Sequence, residues 1–216
     1  MVKPGEFPFM VSLRGDYGHF CGGILLTPTH VLTAASCFIR YTEKWSDQLT
    51  ATTGILYQPE VFPANTVGIQ RVIYHADFHD YDNNIAVIKL TNATTGSLPG
   101  TPRSLGAGRQ AAVGHLVTAV GWRITGPQHY PMPSMPYQLY KTQLRLAKPE
   151  ECSSAEGFGN GTGKLCAVSH NLTVCKVRLL SSSASLASKT PYSVFDIKVS
   201  INISKFLFSL YRNLQI

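Results

Sequence analysis

Serines and histidines are the residues of this chain whose side chains could support nucleophilic catalysis. That chemistry needs a hydroxyl or thiol nucleophile, a base beside it, and donors for the negative charge that develops. A serine-rich run lies near the C-terminus, and four of the seven histidines are candidate bases: Ser181, Ser182, Ser183 and Ser185, and His30, His75, His79 and His115. No spacing relates these hydroxyls to these imidazoles, so we expect ordinary loop and strand residues rather than a catalytic triad.

His75 and His79, with Asp77 and Asp80 beside them, are the best candidate for a metal site. Imidazole and carboxylate are both ligands for zinc. The chain contains neither an H-E-x-x-H motif nor a paired Cys-x₂-Cys spacing, and these are the usual zinc signals. We therefore interpret the two histidines as loop residues and expect no metal and no cofactor.

The five cysteines favour an oxidising compartment, and their odd number leaves one without an intramolecular partner. Cys21 and Cys37 lie 16 positions apart, near the two ends of an apolar strand, a turn and a second apolar strand. Cysteines so placed can join a hairpin by a disulfide. The segment Met1–Glu6 has no apolar signal-peptide core. We expect a secreted protein whose sequence starts downstream of its natural start.

Composition and charge argue against several classes of partner. Charged residues make up 14% of the chain, and the formal net charge is +7. The lysines and arginines are scattered and never form a run of five, which argues against nucleic-acid binding and keeps an anionic glycan only as an alternative partner. No apolar stretch approaches the ~18 residues needed to span a bilayer, so we expect no membrane partner.

Short apolar segments separated by Gly, Pro, Asn and Ser predict an all-β sandwich or barrel. The candidate strands are Phe9–Leu13, His19–Leu26, Val31–Ala34, Val67–Tyr74, Ile85–Leu90, Leu116–Trp122, Tyr137–Leu146 and Leu165–Val168. The C-terminus differs, because apolar residues from Val199 to Leu214 recur at spacings of three and four. That spacing predicts an amphipathic helix.

Several motifs resemble those of the trypsin/chymotrypsin-like serine proteases. Phe20–Cys37 resembles the family's Cys-Gly-Gly-Ser-Leu … Val-Leu-Thr-Ala-Ala-His-Cys signature. Asn84–Leu90 resembles its Asp-Ile-Ala-Leu-Leu-Lys-Leu strand, and Ala119–Trp122 resembles its Ala/Ser-Gly-Trp-Gly motif. The last three cysteines keep the family's intervals of 14 and 9 residues: Cys152, Cys166 and Cys175. The chain also has a distant likeness to the oomycete glucanase-inhibitor proteins and to inactivated mite protease paralogues.

The resemblance implies one trypsin-like domain over residues 1–216, all-β, with two antiparallel barrels and a C-terminal α-helix. The first barrel would occupy about residues 1–105, the second about 106–198, and the helix about 199–214. Only 15 residues separate Cys175 from Pro191, fewer than the family usually has there. We therefore expect the second barrel to be incomplete.

The resemblance also implies two disulfides, Cys21–Cys37 and Cys152–Cys166, and it leaves Cys175 unpaired. On the chain-entropy model, closing the first loop stabilises the fold by about 3 kcal/mol. Three N-x-Ser/Thr sequons are candidate glycosylation acceptors in a secreted protein: Asn92, Asn160 and Asn171. A fourth, at Asn202, falls within the predicted helix and is the weakest candidate.

The resemblance implies that all three catalytic positions of the family are replaced. Ser36 stands where the motif has its histidine base, and Asn84 stands where it has the aspartate that orients this histidine. Counting from Cys175 puts Leu179 at the position of the nucleophile. A serine hydroxyl does not accept a proton near neutral pH, so the chain is predicted not to be an enzyme.

We therefore predict a secreted, non-catalytic homologue that binds another protein as an inhibitor, decoy or effector. Inactive relatives of the family suggest a hydrolase or a component of a protease cascade as that partner. The alternative is a trypsin-like serine endopeptidase whose active-site segment is missing from a faulty or truncated sequence. Such a fault would not account for Ser36 and Asn84, which lie inside otherwise intact motifs.

Overall fold

The computed structural model describes residues 1–39, 48–79, 82–94, 113–122, 138–152 and 166–168. Within these ranges the chain forms β-strands joined by turns and short 3₁₀ helices. The strands are β1 Met10–Gly15, β2 Gly18–Thr27, β3 His30–Thr33, β4 Thr50–Thr53, β5 Thr66–Tyr74, β6 Ala86–Leu90, β7 Leu116–Trp122, β8 Leu139–Ala147 and β9 Cys166–Val168. The 3₁₀ helices are Ala35–Phe38, Pro63–Asn65 and Pro149–Cys152. None of the residues described forms a helix long and apolar enough to cross a lipid bilayer.

The first six strands form a closed antiparallel barrel in the order β1-β2-β3-β6-β5-β4, with β4 pairing back onto β1. Alternate residues of each strand point into the barrel, so Val11 and Leu13 of β1 meet Leu25, Val31 and Ile88 in one buried cluster. The short apolar segments that predict these strands therefore supply the side chains that fill the barrel.

Gly23 allows β2 and β3 to pass close to each other. A Cβ atom at this position would lie 2.5 Å from Cγ1 of Val31 and 3.2 Å from the carbonyl oxygen of Leu32. Only glycine leaves room for this approach. The close packing of the β2–β3 hairpin thus depends on the absence of a side chain at Gly23.

The second half of the chain contributes a three-stranded antiparallel sheet in the order β7-β8-β9. The Cys152–Cys166 disulfide joins the 3₁₀ helix after β8 to β9. Both cysteines are buried together with Ala147 and Val168 in a small apolar cluster.

The sheet is attached to the barrel by backbone hydrogen bonds and a shared apolar cluster. Leu139 of β8 donates its N–H to the carbonyl oxygen of Leu56 at 2.7 Å and accepts from the N–H of Val2 at 3.2 Å. The side chains of Val2, Met10 and Leu139 are buried together, with Trp122 packed against them. Barrel and sheet therefore pack directly against each other.

The all-β, trypsin-like architecture is confirmed, and the eight predicted strands are found with ends within two residues of the prediction. Strand β4 was not predicted, because Thr50–Thr53 is not an apolar segment, although three of its four residues are buried. The C-terminal helix predicted over residues 199–214 lies outside the described residues, as do residues 169–198 of the predicted second barrel. That the second barrel is incomplete, and that the first barrel ends near residue 105, stay predictions.

Candidate functional site

The pairing of β3 with β6 brings Ser36 and Asn84 together. Thr33 of β3 lies opposite Ala86 of β6. The 3₁₀ helix Ala35–Phe38 follows β3, and Asn84 comes just before β6. Two residues that are 48 positions apart in the chain therefore meet at the same end of the barrel.

Ser36 and Asn84 form two hydrogen bonds that run in opposite directions. The backbone N–H of Ser36 donates to Oδ1 of Asn84 at 2.7 Å. Nδ2 of Asn84 donates to Oγ of Ser36 at 2.9 Å. Both residues are half-buried. The arrangement uses both ends of the amide, and neither of the two side chains is ionisable near neutral pH.

The turn before Asn84 is shaped by a residue with an unusual backbone conformation. Asn83 has a φ of +50°, in the left-handed region that asparagine tolerates better than most residues. Its Nδ2 donates to the carbonyl oxygen of Asp77 at 3.0 Å, and the N–H of His75 donates to Ile85 O at 3.1 Å. These contacts fix the turn so that the side chain of Asn84 faces Ser36.

The Cys21–Cys37 disulfide fixes the other side of the pair, because Cys37 directly follows Ser36. It is formed in the structure, with a Cα–Cα distance of 6.2 Å. Thr33 strengthens the same corner, since its hydroxyl donates to Gly22 O at 2.9 Å. Ser36 thus sits in a turn held by a covalent link and by the barrel wall.

A family model described as Trypsin matches residues 1–176. The chain belongs to the trypsin family. It is 30% identical to granzyme M of Rattus norvegicus over 168 residues, which are 73% of this chain and 59% of that protein. It is 30% identical to Hypodermin-B of Hypoderma lineatum over 178 residues, which are 79% of this chain and 65% of that protein.

A third relative, transmembrane protease serine 5 of Homo sapiens, is 28% identical over 165 residues, or 71% of this chain and 34% of that protein. The chain therefore spans less than two thirds of the length of each of these three relatives. The match establishes the family of this chain. It does not establish the activity, substrates or partners of the whole protein.

Several residues singled out from the sequence of this trypsin-family chain lie outside the described residues: Leu179, Cys175, Asn160 and Asn171. Asn92 is described and exposed. His75 accepts a hydrogen bond at Nδ1 from the backbone N–H of Asp77 at 3.1 Å. Within the described ranges no three His, Cys, Asp or Glu side chains are grouped so that they could hold a metal ion.

A serine–histidine pair that was not predicted from the sequence lies between the barrel and the sheet. Oγ of Ser12 is 2.8 Å from Nδ1 of His19 and donates to Oε1 of Gln58 at 3.1 Å. Because the hydroxyl has one proton, the assigned hydrogen bonds put a proton on Nδ1 of His19. Arg14 donates to the same Oε1 at 2.6 Å and to the carbonyl oxygen of Gln58 at 3.1 Å.

This buried network is structural, because Ser12 is 0% exposed and no substrate could reach its hydroxyl. Burial, and secondarily the Arg14 guanidinium, lowers the pKa of His19 to about 4, so its imidazole is neutral at pH 7. Its ring lies 5.2 Å from that of Trp122 in β7. The sequence signal was present in the polar residues Ser12, Arg14 and His19, which interrupt two apolar strands.

Proposed function

We propose that this chain is a secreted, catalytically inactive member of the trypsin family that acts by binding another protein. The observation that carries the proposal is the reciprocal pair of hydrogen bonds between Ser36 and Asn84. These residues are predicted to stand at the positions of the family's base and of the residue that orients it. The pair therefore leaves both positions without an ionisable group.

The chemistry of the pair argues against proton transfer. General base catalysis requires a group that can take up a proton near the working pH, and neither an alcohol nor an amide does so. In a protease of this family, exchanging the orienting aspartate for an amide alone lowers the rate about 10⁴-fold. Here the predicted base position carries no imidazole either, and Leu179 at the predicted nucleophile position has no hydroxyl.

Secretion is supported by the two disulfides, because such bonds persist mainly in oxidising compartments. Protein binding is supported by the first barrel, which is closed although Ser36 and Asn84 stand at its two predicted catalytic positions. A second class of partner, an anionic glycan, is favoured by two neighbouring cations on β5 and β6. Arg71 lies opposite Lys89, and neither side chain forms a salt bridge with any described carboxylate.

The deciding experiment treats the purified, disulfide-bonded chain with a fluorophosphonate probe, which labels activated serines, beside active trypsin as the positive control. We expect no labelling and no peptide hydrolysis. A Ser36→His, Asn84→Asp double variant serves as the matched control and should stay unlabelled, because Leu179 is unchanged. Labelling of a serine in this chain would overturn the proposal, whereas labelling only of the protein isolated from its natural source would favour the endopeptidase alternative.

The binding role is tested by titrating the chain into an assay of an active trypsin-family protease. A decoy or inhibitor of such a cascade lowers cleavage of a protein substrate and leaves hydrolysis of a short chromogenic peptide unchanged. Equal rates with and without the chain on several protein substrates would count against this class of partner. Retention on a heparin column that is lost steeply with salt would favour the glycan instead.

A further inference from the structure

Asn92 lies in the bend after β6, where the chain leaves the first barrel. Leu90 is buried in the barrel core, whereas Thr91, Asn92 and Ala93 are exposed. The N–H of Thr91 donates to the carbonyl oxygen of Gly68 at 2.9 Å and so fixes the point of departure. The side chain of Asn92 therefore stands on the surface, where a bulky substituent would displace none of the core.

Thr94, two residues further on, has a hydroxyl for which the described part of the chain offers no hydrogen-bond partner. It is 8% exposed, and its backbone N–H donates to the carbonyl oxygen of Pro28 at 2.9 Å. Its Oγ1 is buried and has no hydrogen-bond partner among the described residues. A buried unsatisfied hydroxyl destabilises a fold relative to an apolar group of the same shape. Valine would therefore suit the folded barrel better than threonine.

We infer that Asn92 is an N-linked glycosylation site whose Thr94 hydroxyl serves the modifying enzyme before the chain folds. Asn92-Ala93-Thr94 is an N-x-Thr acceptor with no proline at its centre. The acceptor needs a hydroxyl two residues after the asparagine, and this need explains a threonine whose hydroxyl is buried without a partner among the described residues. Glycosylation of Asn92 rests on the secretion proposed above and is independent of the loss of catalysis.

The reaction transfers an oligosaccharide from a lipid pyrophosphate donor to the amide nitrogen of Asn92. A C–N bond forms at the anomeric carbon as the C–O bond to the pyrophosphate breaks. The amide loses one proton, and the lipid pyrophosphate leaves with the electron pair. The two disulfides agree with passage through the oxidising compartment where this modification takes place.

The test expresses the whole chain behind an added export signal in cultured eukaryotic cells. Trypsin then releases the peptide Leu90–Arg103, which contains no other sequon. After treatment with peptide N-glycosidase, we expect mass spectrometry to read aspartate at Asn92. A peptide Leu90–Arg103 that is wholly unmodified before treatment would overturn the inference. Protein retained in the cells is analysed in the same way, because the glycan is added before folding.

Two variants of one residue separate the roles of the hydroxyl. Thr94→Ser keeps the acceptor and should keep the glycan, whereas Thr94→Val should lose it completely. With all glycans removed from both proteins, Thr94→Val should unfold at the same temperature as the unmodified chain or higher. A marked fall in that temperature would mean that the hydroxyl serves the folded state, and it would overturn the argument from Thr94.

Discussion

At the scale of single residues, the Ser36–Asn84 pair has a structural role that can be measured as a change in the free energy of unfolding. Asn84 accepts from a backbone N–H through Oδ1 and donates to a hydroxyl through Nδ2. The two bonds are not equivalent. The direction of the backbone N–H of Ser36 is fixed by the chain, whereas a hydroxyl can rotate towards another partner.

Asn84→Ala should lower the free energy of unfolding by about 1–3 kcal/mol, because it leaves a half-buried N–H without its acceptor. Ser36→Ala keeps the N–H···Oδ1 bond and should cost only about 1 kcal/mol. Urea unfolding of the oxidised proteins gives both values. Equal losses in the two variants, or a larger loss in Ser36→Ala, would contradict this account of the pair.

At the scale of secondary-structure elements, the close approach of β2 to β3 makes Gly23 indispensable. A Cβ atom there would lie 2.5 Å from Cγ1 of Val31. Gly23→Ala must therefore separate the strands or shift Val31, and such overpacking typically costs about 1–3 kcal/mol. Gly121 in β7 is the matched control, because nothing lies within 4 Å of a Cβ placed there. Thermal unfolding should show a large loss for Gly23→Ala and a small change for Gly121→Ala; similar losses would contradict the clash.

The same elements explain what could be predicted from the sequence. Short apolar segments between turn residues located eight strands, because a strand that covers a core usually carries apolar side chains. They missed β4, since Thr52 and Thr53 are polar and yet buried. The meeting of Ser36 with Asn84 was expected from the family resemblance. Its reciprocal hydrogen bonds were not, because they depend on the rotation of one amide.

The network around His19 was harder to foresee, since its members lie on β1, on β2 and in the loop before β5. No sequence period relates Gln58 to Ser12, which are 46 positions apart. Only the closure of the barrel, with β1 paired to β4, puts that loop beside the first hairpin. Contacts of this kind depend on the topology of the fold, so the spacing of residues along the chain does not predict them.

At the scale of the whole molecule, His19 links the barrel to the sheet. Its ring is hydrogen-bonded within the barrel to Ser12 and lies against Trp122 of β7. Trp122 in turn donates its indole N–H to Leu56 O at 3.3 Å, beside the Leu139–Leu56 bond. A charge on His19 would therefore appear in the junction between the two halves and next to the Arg14 guanidinium.

We expect the molecule to lose stability in mild acid for this reason. The pKa of His19 is lowered from its usual 6.5 to about 4 in the folded chain, so between these values the unfolded state binds a proton that the folded state does not. Stability is thus fully present above pH 6.5 and falls as the pH drops towards 4, by up to about 3 kcal/mol. Urea unfolding at pH 7, 6, 5 and 4 measures this slope.

The variant that isolates the effect is His19→Asn, which can still donate to Ser12 but does not titrate. It should start from a lower stability at pH 7, because the ring contact with Trp122 is lost, and should show a flatter slope in acid. His30→Asn is the control, since burial, then Lys89 and then Arg71 also lower the pKa of His30, and its share must be subtracted. An unchanged slope in His19→Asn would mean that the junction tolerates the charge, and that acid acts on this molecule through other groups.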